Sequence, residues 1–494
     1  MGSIRFRVHR PDRLPDDTAQ RVCLVSLEGV PWTCRSDWHA PDLVITRSVT
    51  DSGYAHVPWR SDRFGQITLS TATLIERPTP YHLAVELARG TIHRVATQLA
   101  DWQLAGLRNF DSVRDKLTAA RQCFADAVTR QRISADEAEL YATEAIDLGL
   151  EASRQLMRCY RQQVLEARQQ ESPRFPLWLA GNLNGHLEVP EPDAFQRSFN
   201  AAVVPFNWRS IEPATGEFRW QVPDAQVDWC LKRQLKLCGG PLLALDGQRL
   251  PDWLVLWEQD EEGVLSYVRN YVDSVVARYQ QHIQLWHCAA RINNGRGLAV
   301  SDEFRLQLAV VAIEALRARD SQTPMVLSFD QPWGEYMARS DTDLSPLYFA
   351  DTILRANLGV SGLGLEFNYG YSGNGMSTRD LLEMSRKLDY WSMLGTPLVV
   401  FLTLPSSAEE DTQARGDARL TRGLESAVDP VWQRERLEAI MSMLLAKRFV
   451  QVIVWDQWSD APIHRFPHGG LLGADGAAKP ALKVFQEIRR NQLA

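Results

Sequence analysis

Acidic residues with the placement needed for proton transfer stand at the ends of short apolar runs in the C-terminal two-thirds of this chain. Asp330 closes PMVLSFD, and Glu366 lies near the end of GLGLEFN. Two carboxyl groups facing one another divide into an acid and a base when their surroundings drive their pKa values apart. Asp330 and Glu366 are therefore the first catalytic pair to consider, with Glu335 in DQPWGEY or Asp456 in VIVWD as alternative second members. The plainer reading is that such acids pair with a nearby Arg or Lys and hold loops. Polar groups that could grip a ligand stand at similar positions: Asn182, Asp246, His287, Arg291 and Asn368. Trp208, Trp455 and Trp458 offer flat apolar faces of the kind on which a sugar ring packs. A histidine beside a tryptophan is more often structural than catalytic, which is the ordinary reading of His287 and His464. Ser406 and Ser407 lack a placed histidine and make weak nucleophiles. With no HExxH, P-loop or GxSxG pattern, neither a metal nor a cofactor is expected.

The elements that would carry these residues follow from the hydrophobic pattern. After Pro176, eight short apolar runs alternate with amphipathic stretches: LWLAGNL, AAVVPFNW, LCGGPLLAL, QLWHCAA, PMVLSF, GLGLEF, PLVVFLTL and VQVIVWD. Eight strand–helix units in about 310 residues fit a closed α/β barrel, the (β/α)8 or TIM barrel, whose chemistry sits at the C-terminal ends of the strands. Residues 1–90 read instead as short strands broken by turn residues, a pattern expected of an antiparallel β-sandwich. Trp32, Trp38, Trp59, Tyr54 and Tyr81 are its candidate stacking faces for carbohydrate. Residues 91–172 form a helical segment with apolar positions at i, i+3, i+4 and i+7. Ser134 and Glu137 have the spacing of a capping box, and QQESPRFP ends the helices. The expected domains are thus 1–90, 91–172 and 173–494.

Composition narrows the function classes. The chain has 494 residues, a net charge of −7, 45% hydrophobic residues and 16 tryptophans. That charge leaves no basic footprint for nucleic acid, and no apolar run is long enough to span a bilayer. The seven cysteines are scattered without a CxxC pair, so neither a disulfide framework nor a structural zinc site is expected. Together with the absence of a readable signal peptide, this gives a cytoplasmic expectation.

Several stretches, in order, resemble glycoside hydrolase family 10, the xylanase family. They are FNAAVVPFNWRSIEPATGEFRW, CGGPLLALDGQRLPDWL, QLWHCAARINN, SGLGLEFNYGY, MLGTPLVVFLTLPSS and VIVWDQWSDAPIHRF with its closing AAKPAL. The resemblance spans roughly residues 195 to 488 and implies a barrel that acts on or binds an oligosaccharide. By the same resemblance, Arg291 stands where the family has its acid/base glutamate, and Thr403 where it has its nucleophilic glutamate. Val204, Pro205, Pro241 or Leu242, and Asn368 stand at sugar-contacting positions. An arginine cannot cycle as acid and base at ordinary pH. Two readings follow: a carbohydrate-active enzyme with relocated carboxylates, or a family-10-like pseudoenzyme that binds a saccharide or a protein partner. A third, a cytoplasmic assembly protein, makes the N-terminal or helical region a homo-oligomer interface.

Overall fold

The computed structural model describes residues 2–295, 297–340, 342–372, 376–416, 418–424 and 428–493. Eight parallel strands run Trp178–Asn182, Ala201–Val204, Lys236–Gly239, Leu285–Ala290, Met325–Phe329, Gly362–Asn368, Leu398–Thr403 and Val450–Trp455, here strands one to eight. Each pairs with the next, and strand eight returns to strand one with Trp455 beside Gly181. The sheet is closed, and the eight apolar runs of the sequence are its staves.

Both faces of these strands are buried, which explains their unbroken apolar character. The period of two sorts their side chains. Ala180, Val203, Cys238, Val326, Phe401 and Val454 fill the barrel interior. Leu179, Leu237, Leu327, Leu365, Val400 and Ile453 face the surrounding helices. Farther toward the C-terminal edge, the same inward parity brings Asn182, Asp330, Asn368, Thr403 and Asp456 to the mouth. Strand four breaks the pattern. Its register shifts between His287 and Ala289, and Arg291 then takes a left-handed backbone (φ 56°). Such a bulge and turn re-aim a side chain at the cost of local strain.

The N-terminal region is rich in β-structure. A three-stranded antiparallel sheet joins Cys23–Val25, Tyr54–Ser61 and Gly65–Ser70. A four-stranded sheet joins Cys34–His39, Asp42–Arg47, Gly2–Arg7 and Tyr81–His82. One of its pairings is parallel, between Gly2–Arg7 and Tyr81–His82, so the sheets are not purely antiparallel. Helices Leu83–Leu104, Asp111–Arg130 and Ala135–Glu171 follow. The last ends two residues before Pro173, because the residue preceding a proline is pushed out of the helical region. Ser134 caps this helix by accepting from the Glu137 N–H at 3.3 Å. Only half of the expected capping box forms, since the Glu137 carboxylate pairs with Arg130 instead.

These regions share one apolar core that includes Val57, Leu150 and Trp391. A buried ionic cluster pins them together. Arg94, on the first long helix, donates to Asp380 at 2.9 Å and lies 3.5 Å from Glu383. Ser153 donates to the same Asp380 at 2.7 Å. Asp380 in turn caps the barrel helix Leu381–Ser392 by accepting from the Glu383 N–H. Removing the cation leaves Asp380 and Glu383, 15% and 17% exposed, without the partner they share, a loss of about 2 kcal/mol. Arg94→Ala is therefore expected to lower unfolding stability by that order in urea titration; a change under about 1 kcal/mol would mean the cluster does not hold the regions together.

Candidate functional site

The mouth of the barrel holds a continuous polar cluster built around Arg291. Its Nε donates to Glu366 Oε2 on strand six at 2.7 Å. Its Nη1 donates to Asp246, after strand three, at 3.0 Å. Burial opposes the charge on Arg291, but Glu366, Asp246, Asp330 and Asp456 outweigh it and hold the guanidinium above its ordinary pKa. The cluster continues downward. Ser328 Oγ donates to Glu366 Oε1 at 3.2 Å and lies 2.9 Å from His287 Nε2. With the Ser328 proton committed to Glu366, that imidazole nitrogen must carry its own proton toward Ser328. Burial, and then the charges of Arg249 and Arg291, lower the His287 pKa to about 3, so the ring is neutral.

Asp330 is 2% exposed. The Asn293 side chain fixes its backbone by donating to Asp330 O at 2.9 Å and accepting from Asp330 N–H at 3.2 Å. Burial, reinforced by Glu366, raises the Asp330 pKa to about 8, against the opposing pull of Arg291. Asp456 accepts from Asn182 Nδ2 at 2.8 Å and keeps partial contact with solvent. Its pKa is also raised, first by removal from bulk water. Asp330, Glu366 and Asp456 therefore gather at one mouth with Asn182, Asp246, His287 and Arg291. Glu335 lines the neighbouring cavity toward strands four and five. It pairs with Arg379 at 2.5 Å, below the N-terminal sheet.

Two cavities flank this cluster. The larger, about 640 Å³, opens on the side of strands one to three and eight, where Asn182, Pro205, Asp246 and Arg465 line it. The other, about 390 Å³, lies toward strands four and five and is bounded by Asn294, Gln331 and, from the N-terminal region, Gln20 and Arg21. The N-terminal region thus covers part of the mouth. Arg339 secures this cover by donating to the carbonyls of Ala19, Val22 and Cys34.

The tryptophans singled out as sugar platforms are packed inside. Trp208 stacks on Tyr271 and donates to Glu212 at 2.7 Å. Trp455 meets Phe485 edge-on, and Trp458 does the same with Phe195. Among the N-terminal aromatics, Trp59 is fully buried and Trp32 carries the Arg47 guanidinium 4.2 Å above its ring. Asn368 is 1% exposed, and neither of its amide atoms has a hydrogen-bond partner; the neighbouring Thr403 hydroxyl is likewise unpaired. His464 sits between Asp411 (2.9 Å) and the Pro462 carbonyl (2.8 Å). Ser406 receives a hydrogen bond from Lys479, which is also paired with Asp460. Ser328 escaped the sequence reading, although it lies two residues before Asp330 on the same inward face. Arg249 and Arg465 come from loops, where no periodicity marks them. No group of His, Cys, Asp or Glu suited to a metal ion occurs among the described residues.

This architecture is a (β/α)8 barrel with an ionic mouth, and residues 180–297 match the model of glycosyl hydrolase family 10. The barrel is family-10-like. A curated relative is endo-1,4-beta-xylanase A of Caldicellulosiruptor sp. (strain Rt8B.4), 28% identical over 107 residues. That match covers 19% of this chain and 15% of the relative's length. Similar solved structures include xylanase B from Clostridium stercorarium F9, 17% identical with a TM-score of 0.47, covering 63% of this chain and 96% of that one. Another is xylanase 10B from Thermotoga petrophila RKU-1 in complex with xylobiose, 14% identical with a TM-score of 0.48, covering 68% and 97%.

The raised Asp330 pKa makes a signed prediction. The folded state keeps the Asp330 proton up to about pH 8, whereas the unfolded chain releases it near pH 3.8. Folding is therefore unpenalised below the unfolded value and grows costlier as pH rises toward the folded one. Asp330→Asn is expected to stabilise the protein at pH 8 relative to wild type, by more than about 1 kcal/mol. The gain should fade toward pH 4. Parallel urea titrations at both pH values check this, and a pH-independent difference would contradict the protonation assigned to Asp330.

Proposed function

We propose that this protein binds a saccharide in the cleft at the barrel mouth and does not cleave it by the two-carboxylate mechanism of retaining glycosidases. The observation that carries this reading is the placement of Arg291 between Glu366 and Asp246. Retaining hydrolysis needs two carboxyl groups about 5 to 5.5 Å apart with the scissile bond between them. Here a guanidinium occupies the space between the acids, and both carboxylates are committed to it. Arg291 directly follows strand four and Thr403 ends strand seven, the positions that the family resemblance gives to the acid/base and the nucleophile. A family-10-like barrel and a cleft of about 640 Å³ support a saccharide as the ligand. Seven free thiols are in keeping with a reducing, cytoplasmic setting.

One observation favours a second reading. Asp330 retains its proton near neutrality, as a general acid must, while its neighbour Glu366 is ion-paired to Arg291. Those two groups would be the relocated pair of an active hydrolase. Titration calorimetry with xylo-oligosaccharides, alongside a reducing-end assay, separates the readings. Saturable binding without new reducing ends is expected, and binding should persist in Asp330→Asn. Turnover that disappears in Asp330→Asn and Glu366→Gln, with thermal unfolding intact, would establish hydrolysis in place of simple binding.

A further inference from the structure

The larger cavity of the mouth is unusual for an acidic chain, because arginines dominate its charged groups. Arg219 comes from the loop after strand two, Arg249 from that after strand three, Arg415 from that after strand seven and Arg465 from that after strand eight. Arg291 stands just below them. Each of these five cations belongs to a different segment of the mouth, so their convergence is a property of the fold and not of one basic stretch of sequence.

The carboxylates nearby do not balance them. Asp246 serves Arg291 at 3.0 Å and Arg249 at 3.6 Å. Glu366 serves Arg291 at 2.7 Å and Arg465 at only 3.8 Å. Asp456 is the third acid of the mouth, and Asp330 holds its proton. Neither terminal nitrogen of Arg465 has a hydrogen-bond acceptor, although both are shielded from solvent. Arg219 and Arg415 pair with no carboxylate among the described residues. His464, on the same wall, is already matched with Asp411.

A guanidinium offers a planar fork of donors suited to carboxylate or phosphate, and a buried fork without an acceptor is costly until one arrives. Two of the loops that line the cavity also touch. Gly416, at φ 134°, lies against the Gln248 side chain, so the loop after strand seven meets the loop after strand three. The shielding of the Arg465 terminal nitrogens strengthens any charge pairing made there.

We infer that the ligand of this cleft is an anionic saccharide, a sugar bearing a carboxylate or a phosphate, whose negative group is held by Arg465 with Arg415 and Arg219 at the rim. The inference rests on the saccharide reading above and names its substrate class.

Calorimetry on the full chain tests it with four probes: a xylo-oligosaccharide bearing one glucuronate, the same compound with its carboxyl reduced to an alcohol, glucose 6-phosphate, and inorganic phosphate. The uronate is expected to bind at least about tenfold tighter than its reduced form, with the preference shrinking as ionic strength rises from about 0.02 to 0.3 M. Tighter binding of glucose 6-phosphate than of the uronate supports the inference and assigns the anion as phosphate. In Arg219→Ala and Arg415→Ala, with thermal midpoints checked for intact folding, the preference for acid over neutral sugar should fall by about threefold or more. Equal binding of the uronate and its reduced form overturns the anionic assignment and leaves the saccharide reading standing. Inorganic phosphate binding as tightly as either sugar acid also overturns it. Failure of every saccharide to bind removes the reading on which it rests.

Discussion

The Arg291 guanidinium lies in a mouth that would otherwise confine Asp246, Glu366, Asp330 and Asp456 in a space largely closed to water. Like charges a few ångströms apart there repel by about 4 kcal/mol per pair even at an effective dielectric constant of 20. Four carboxylates could not all ionise together. One cation resolves the conflict by pairing with Glu366 and Asp246, after which Asp330 keeps its proton and Asp456 relies on Asn182 and partial hydration. Arg291 thus fixes which carboxylates stay ionised, while burial, reinforced by Glu366, keeps the proton on Asp330 against its pull. The position of Arg291 follows in turn from a bulge in strand four and a left-handed residue at its end.

That local strain is tolerable because the surroundings fix it from several directions. Asn293 ties the loop after strand four to the backbone of Asp330. Arg305 donates to the carbonyls of Asn293 and Gly295 and anchors the same loop from its other side. Farther out, the N-terminal region rests on the loops after strands five to seven. Gln66 N–H reaches the Gly423 carbonyl, and Thr68 N–H reaches that of Thr378. Substrate access to the mouth and the packing of the N-terminal sheets are therefore one structural problem. On the strand four and five side, Gln20 and Arg21 share one cavity wall with Asn294 and Gln331.

The barrel was legible in the sequence because buried parallel strands write themselves as unbroken apolar runs, and all eight were marked. The gathering of Asp330, Glu366 and Asp456 was legible too, since strand-end position and parity fix where such residues point. The position of Arg291 just past strand four is legible in the sequence, but its partners are not, because the left-handed turn that aims it leaves no trace in the hydrophobic pattern. Trp208, Trp455 and Trp458 show a different limit. A tryptophan at a strand end has the same sequence signature whether its ring faces the cleft or the helices outside, and here each ring packs into the core. Glu335 lies on the loop after strand five, which pairs it with Arg379 on the wall of the cavity toward strands four and five, a partner that no spacing in the sequence marks.

The arginines of the mouth bear on both halves of the functional reading. Glycosidic cleavage passes through an oxocarbenium-like state, so positive charge develops on the sugar ring as the bond breaks. Fixed carboxylates stabilise that charge, and fixed cations raise its energy, most strongly where water is excluded. Arg291 and Arg465 both approach Glu366, the carboxylate best placed to oppose the developing charge, and offset it before any sugar enters. The same field that resists a cationic transition state favours an anionic ground state. On the reading proposed above, preference for an acidic sugar and resistance to hydrolysis share one physical cause, the positive charge gathered at the mouth.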